Sequence, residues 1–274
     1  MTTTAPLDLA TVKAGQQATW ASGDYAEIAT LIVPVAERLV DAADLRAGTR
    51  VLDVASGSGN AALAAARLGG AVTGIDYVPA LLERGRERAA AERLNVEFGP
   101  GDTEAIPFPD GSFDAVLSVF GSMFAPDHRR AATELVRVSR PGGRIALASW
   151  TPDGFIGSMF KTVASHVPPP PGLASPLLWG TEEHLAGLFG TDVAWAHRRR
   201  TFTFRFTSAE AFVDAFATYY GPTLKALAAA GPRRDALARD LRDLARSWNR
   251  LEGPGPIALP SAYLESVGLR GGGR

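Results

Sequence analysis

The segment Asp53-Val54-Ala55-Ser56-Gly57-Ser58-Gly59 sits between a short apolar run and an alanine-rich stretch. Glycines at 57 and 59 remove side chains where a ligand must approach backbone amides, and a helix starting behind them offers unpaired N–H donors. Such a loop is built to take a cofactor, though by itself it also reads as a glycine turn with no ligand. The spacing Gly57-x-Gly59-x-x-Ala62 also satisfies a relaxed dinucleotide fingerprint, with Asp76 ending the next apolar run as a ribose acceptor. Asp53 lies four residues before the first glycine, where a dinucleotide site carries an apolar residue. A carboxylate there can anchor the loop or accept hydrogen bonds from an ammonium-bearing ligand. Gly101-Asp102-Thr103-Glu104 brings a further carboxylate to the same sheet edge.

The candidates for proton transfer are few. His128, in Ala125-Pro126-Asp127-His128, lies nearest the expected site, at the start of a helix. His166 is a weaker candidate, and His184 and His197 read as surface residues. No residues are spaced as a hydrolytic triad or a metal cluster. There is no Tyr-x-x-x-Lys pair of the kind that would support a nicotinamide-dependent oxidoreductase.

These residues need a scaffold, and the pattern supplies one. Strands are expected at 50–54, 71–76, 96–99, 113–119 and 144–150, alternating with helices at 61–68 and from Pro79 to about Leu94. Arg140-Pro141-Gly142-Gly143 reads as a tight turn before the fifth strand. Alternation of this kind implies a parallel sheet with helices on both faces and right-handed crossovers. Ahead of it, Asp24 caps an expected helix through Ile28, Leu31, Ile32, Val35 and Leu39, with Pro34 as a kink. Behind it come a helix at 155–166, the stiff run Pro168-Pro169-Pro170-Pro171, a short helix at 182–189 and a strand at 193–206. The prolines read as a spacer that separates elements without packing into them. Two or three helices follow over 208–251, then a strand at 262–269 and a frayed Gly271–Arg274 tail. The helical block between the last two strands is where acceptor selectivity is expected.

Composition narrows the function classes. The 274 residues are 46% hydrophobic and 21% charged, an ordinary globular balance. Net charge is −1, with an isoelectric point near 6.4, so no basic field is available for nucleic acid or an anionic membrane. Arginine outnumbers lysine twenty-five to three, but the arginines are scattered; the one dense run, His197-Arg198-Arg199-Arg200, reads as the solvated entry to a strand. The absence of cysteine excludes disulfides, thiolate metal sites and a cysteine nucleophile. No apolar run approaches the roughly 20 residues of a membrane span. No basic stretch followed by an apolar one opens the chain at Met1–Pro6. The expectation is a soluble, cytoplasmic protein.

The motif set Val51–Gly59, Gly74-Ile75-Asp76-Tyr77, Gly101–Phe108, Phe113-Asp114-Ala115-Val116 and Leu135–Gly143 resembles the class I S-adenosylmethionine-dependent methyltransferases. Within them it looks like the small-molecule, type 11 or UbiE-like group. Ser56 departs from relatives that carry cysteine or glycine there. The resemblance implies a Rossmann-like, mainly parallel seven-stranded sheet, with an N-terminal helical lid over 1–45. It implies a cofactor-binding core over 46–150, and a 151–274 part that completes the sheet and carries an acceptor-binding cap at about 208–251. The implied cofactor is S-adenosylmethionine, with no metal. Asp53, Ala55, Ser56, Gly57 and Gly59 would face its methionine part, and Asp76 its ribose hydroxyls. Tyr77 and Val78 would lie on the adenine, with Gly101, Asp102 and Thr103 pairing its edge. Ser118, Val119 and Phe120 would border the methyl-transfer site, and Trp20 and Tyr25 would belong to the lid.

An acceptor pocket would draw on Met123, Phe124, Trp179, Phe216, Tyr219 and Tyr220, although their spacing suits core packing equally. The strand-four loop lacks both the Asn/Asp-Pro-Pro-aromatic sequence of base-modifying relatives and the carboxylates of magnesium-using ones. The implied reaction is metal-independent methyl transfer to a small, hydrophobic or aromatic metabolite, with His128 as the candidate base. Two alternatives stand beside it: a bound sulfonium steering a non-methylating reaction such as cyclisation, and an NAD(P)-dependent oxidoreductase. The expected partner is the small-molecule acceptor, with neither nucleic acid nor membrane, and the chain is a monomer or a homodimer.

Overall fold

The computed structural model describes residues 8–271. Met1–Pro6 and the Gly272–Arg274 part of the tail lie outside the described residues. Seven strands form one sheet: β1 (Arg50–Val54), β2 (Ala71–Asp76), β3 (Val96–Pro100), β4 (Phe113–Val119), β5 (Ser139–Trp150), β6 (Val193–Phe206) and β7 (Ile257–Arg270). Their order is β3-β2-β1-β4-β5-β7-β6. β1 to β5 run parallel, and β7 is antiparallel to both β5 and β6.

The chain steps from β1 outward to β2 and β3, then returns to place β4 and β5 on the other side. The crevice between β1 and β4 is therefore the point where strand order reverses, and in open parallel sheets ligands bind there, outside the strands' carboxyl ends. β1 is buried along Val51–Val54 because it is central and covered on both faces, which is why it reads as a continuous apolar run interrupted by Asp53.

Helix α1 (Leu9–Trp20) buries none of its residues, so contacts at its edges hold it rather than an apolar face. The expected continuous helix from Asp24 is two helices, α2 (Tyr25–Leu31) and α3 (Val33–Ala42). Asp24 caps the first through the Ala26 amide, as expected. The break falls at Ile32 because Pro34, in the first turn of α3, has no N–H to continue the ladder. α4 (Asn60–Arg67) packs on β1 and β2, α5 (Pro79–Glu92) on β2 and β3, and α6 (His128–Val138) on β4 and β5.

In the second half, α7 (Phe155–His166), α8 (Glu182–Phe189), α9 (Ala209–Tyr219), α10 (Gly221–Ala229) and α11 (Arg234–Trp248) cover the sheet end built by β5, β6 and β7. The turn at Arg140–Gly143 is absorbed into β5 as an irregularity: Phe113 faces Ser139 and Ala115 faces Arg144, with Gly142 at φ 71°.

Candidate active site

The carboxyl ends of β1, β2 and β4 open into a cleft. Asp53 is almost wholly buried, and its Oδ2 accepts the Ala62 N–H at 2.9 Å in the first turn of α4. Gly59, which precedes that helix at φ 83°, carries no capping side chain, so Asp53 supplies the cap from the strand. Asp76, ending β2, accepts the Gly57 N–H at 2.9 Å with one oxygen and the Val78 N–H at 2.8 Å with the other. Neither carboxylate has an ion-pair partner among the described residues. Burial pushes the Asp53 carboxyl up to about 7, despite the Ala62 amide, and the nearby Asp76 charge adds to the rise. Burial likewise raises Asp76, against the pull of the Val78 and Gly57 amides.

Two non-glycine residues at the strand ends hold left-handed backbone, Ala55 (φ 53°) after β1 and Phe120 (φ 52°) after β4. Strain of this kind persists only where surrounding structure imposes it. Here the Phe120 ring is stacked on Trp150 at 3.7 Å, and Gly121 approaches Ala55 so closely that a Cβ would lie 2.7 Å from the Ala55 Cβ.

α1 closes one side of the cleft. Lys13 bridges Asp102, at 2.7 Å, and Glu104, while Gln17 donates to the Tyr77 carbonyl. Burial alone would lower the Lys13 ammonium, but the two carboxylates outweigh it and hold it above its ordinary value. Trp20, at the end of α1, is the hub of an aromatic roof, edge-on to Tyr25 at 5.3 Å, Phe124 at 4.9 Å and Tyr220 at 5.6 Å.

Of the residues expected at the cofactor, Trp20, Tyr25, Asp53, Ala55, Ser56, Gly57, Asp76, Tyr77, Asp102, Thr103, Val119 and Phe120 line this cleft, with Phe124 beside them. The rest lie behind its wall. Gly59 faces Phe98, Gly101 is packed on Ile75, and Val78 is buried at the start of α5. Ser118 donates to the Val54 carbonyl and accepts from Ser122, which holds the β4 loop rather than a ligand.

Most of the acceptor expectations are corrected. Trp179 and Met123 are core residues, the former against Phe189 and His128. Tyr219 is 38% exposed although it shares the face of Phe212 and Phe216, because it is the last residue of α9 and lies beyond the packing that covers them. Phe216 is buried against Phe204 and Tyr220, bordering a small void under the roof.

His128 is not at the cleft. It packs on Trp179, and its Nδ1 lies 2.9 Å from Nε2 of His184. His184 is therefore a partner and not a surface residue. His197, expected at the surface, is half-buried with its Nδ1 on Ser266 Oγ. Sequence reasoning missed Lys13, Asn60 and Leu81, which also line the cleft. Lys13 could have been suspected only as one of three lysines in an arginine-rich chain. Among the described residues, no three His, Cys, Asp or Glu side chains gather to hold a metal ion, and no helix is long and apolar enough to cross a membrane.

Comparison with known proteins adds a domain-level likeness. Residues 52–147 match a family described as a methyltransferase domain. The chain is 39% identical over 124 residues, 44% of its length and 52% of the relative's, to a demethylmenaquinone methyltransferase of Deinococcus radiodurans. Among solved structures, the YcgJ protein of Bacillus subtilis shares the fold at a TM-score of 0.59, with 20% identity over 87% of this chain and 98% of that one. Residues 52–147 thus carry a methyltransferase-family domain, within a chain whose fold is shared by solved structures such as YcgJ. Over most of its length the chain is similar to an uncharacterized protein of Mycobacterium tuberculosis, 44% identical over 225 residues, covering 81% of this chain and 82% of the relative.

Proposed function

We propose that this chain transfers a methyl group from S-adenosylmethionine to a small, hydrophobic or aromatic metabolite without using a metal ion. The observation that carries the reading is the pair of buried carboxylates, Asp53 and Asp76, on either side of the glycine loop, neither neutralised by a cation of the chain. Buried unpaired charge is costly. A ligand bearing an ammonium, a sulfonium and adjacent hydroxyl donors is complementary to it, so the residues present fit the cofactor.

In this reading Asp53 and the Ala55–Gly57 backbone take the methionine end, and Asp76 takes the ribose hydroxyls. Tyr77 lies on the adenine, with Asp102 and Thr103 at its edge. One oxygen of Asp102 is already engaged by Lys13 and the other by the Glu104 amide, so the adenine amine shares that carboxylate with the lysine. Bound S-adenosylmethionine supplies a methyl group already activated on a sulfonium, so no protein nucleophile is required. The chain's contribution is to exclude water with Trp20, Tyr25, Phe120 and Phe124, and to hold the acceptor in line; orientation of this kind is worth roughly 7–11 kcal/mol.

With His128 turned away, the ionisable groups nearest the roof are the Tyr25 and Tyr220 phenols. Burial raises both, so they stay protonated and act as hydrogen-bond donors rather than bases. Among the described residues, α1 and α2 serve as the lid, α3 packs into the core with the cofactor-binding part 46–150, and the part from 151 on completes the sheet and carries the cap. Metal independence is supported by Ser118, which stands where a magnesium-using enzyme needs a carboxylate. A net charge of −1 supports a small-molecule acceptor over nucleic acid or membrane, in a cytoplasmic monomer or homodimer.

The test is incubation with S-adenosylmethionine and a panel of lipophilic phenols, enols and carboxylic acids. Acceptor-dependent release of S-adenosylhomocysteine supports the reading. Rearranged acceptor with no S-adenosylhomocysteine overturns it in favour of the non-methylating alternative.

A further inference from the structure

Beyond the aromatic roof lies a second, larger cavity of about 580 Å³, bounded by α1, α7, α10 and the segment after α7. It is continuous with the cleft in its walls, since Trp20 and Phe124 line both. Its chemistry is different. Lys161 is the one formally charged residue in the lining, and four positions, Pro152, Pro169, Pro176 and Pro222, are prolines. A proline presents no backbone N–H, so these stretches of wall offer a ligand no donor and leave none unsatisfied when dry. Of the run Pro168–Pro171 only Pro169 reaches the lining, so the run skirts the cavity mouth.

Polarity across the cavity is graded. The α7 and proline-segment side is built of residues such as Met159, Phe160, Val163 and Leu173, whereas Gln16, Thr19 and Thr223 stand on the α1 and α10 side. Gln16 Oε1 is buried there with no hydrogen-bond partner. An unpartnered buried acceptor costs free energy until a donor reaches it.

We propose that this cavity seats the hydrocarbon body of the methyl acceptor, and that the acceptor is an uncharged, elongated lipophilic alcohol or phenol. Its hydroxyl donates to Gln16 Oε1 at the α1 side, and its tail lies along α7 and the prolines. The proposal rests on the methyltransferase reading for the word acceptor, but the cavity's ligand class stands on the cavity alone.

The test uses the whole protein and an uncharged fluorophore, N-phenyl-1-naphthylamine, displaced by a series of straight-chain alcohols from hexanol to tetradecanol. Affinity should rise roughly fourfold per methylene until the cavity is filled. Val163→Trp on α7 and Leu173→Trp in the segment after it should each weaken the alcohols tenfold or more, with S-adenosylhomocysteine affinity unchanged. Gln16→Leu should weaken the alcohols about tenfold and leave the fluorophore's own affinity alone. The two tryptophan variants guard against a misfolded one, which melting temperature would reveal.

Affinity that is flat along the series, or alcohol binding as in the parent chain by both folded tryptophan variants, overturns the assignment of the cavity. An unchanged Gln16→Leu variant overturns the hydroxyl contact. If S-adenosylhomocysteine fails to bind the parent chain, the methyltransferase reading falls, while the alcohol series still decides what the cavity holds.

Discussion

The Asp76 carboxylate, at the end of β2, accepts the Gly57 amide at 2.9 Å across the top of the sheet, so one side chain both shapes the glycine loop and faces the cleft. Its second oxygen holds the Val78 amide at the start of α5. Asp76→Ala therefore removes two hydrogen bonds from loop amides together with the proposed ribose acceptor. Hydrogen bonds to charged groups are worth about 1.5–3 kcal/mol each, so S-adenosylhomocysteine affinity should fall by roughly a hundredfold or more. Asp76→Asn, which keeps one acceptor oxygen, should fall between the two. Calorimetric affinities for the three proteins check this; an alanine variant that binds as the parent does would remove Asp76 from the site.

Asp53 makes the cofactor site pH-sensitive. Its carboxyl titrates at about 7 in the folded chain, against an ordinary value near 4. Folding therefore favours the protonated form, and the associated stability is fully present below pH 4 and lost as pH rises through 7. Binding of an ammonium-bearing ligand works the other way, because it needs the carboxylate. Affinity for S-adenosylhomocysteine should rise by up to about tenfold per unit below pH 7 and level off above it. Asp53→Asn should be flat across that range and should lose affinity at pH 8. A parent profile without slope between pH 6 and 8 would show that Asp53 does not meet the ligand's charge.

His128 and His184 share one N–H···N bond across the α6–α8 contact, and burial makes that contact most stable while both rings are neutral. Burial, with the His184 ring second, lowers His128 to about 4. A histidine with a depressed value contributes stability that is full above pH 6.5 and is lost as pH falls through 4. The contribution is about 1–3 kcal/mol, enough to lower the melting temperature by several degrees across that window. His128→Phe should flatten this part of the curve while leaving turnover at pH 8 within a few-fold of the parent. A hundredfold loss of turnover with cofactor affinity intact would return His128 to catalysis.

Ala55 is the cheapest strain to relieve. An alanine at φ 53° carries a Cβ penalty of about 1–2 kcal/mol that glycine avoids, partly offset by glycine's greater freedom in the unfolded chain. Ala55→Gly should raise stability by about 0.5–1 kcal/mol in chemical denaturation. A destabilised variant would mean that the Ala55 contact with the Gly121 turn outweighs the backbone strain.

Legibility in the sequence follows the range of the forces involved. The strands at 50–54, 71–76 and 113–119 and the helices at 155–166 and 182–189 coincide with the structure because local apolar pattern and punctuation decide them. The last strand starts at Ile257 rather than 262: Pro260 argues locally against a strand, but its pairing opposite Thr203 needs no N–H from it. The glycine loop, Asp76 and Asp102 were legible because strand, turn and helix bring them to one sheet edge from nearby positions. Lys13 on Asp102, His184 on His128, and the cavity beside α7 were not. The two side-chain contacts join segments far apart in the chain, and the cavity beside α7 is closed by α1 and α10 from elsewhere in it, so only tertiary packing brings these groups together.

Titration of the purified protein with S-adenosylhomocysteine, and separately with NADH, in the calorimeter tests the central claim most directly. Saturable binding of S-adenosylhomocysteine at micromolar concentration, about −8 kcal/mol, with silence from NADH, is the predicted result. Binding of NADH with none of S-adenosylhomocysteine would contradict the account and the assignment of Asp53 and Asp76 with it.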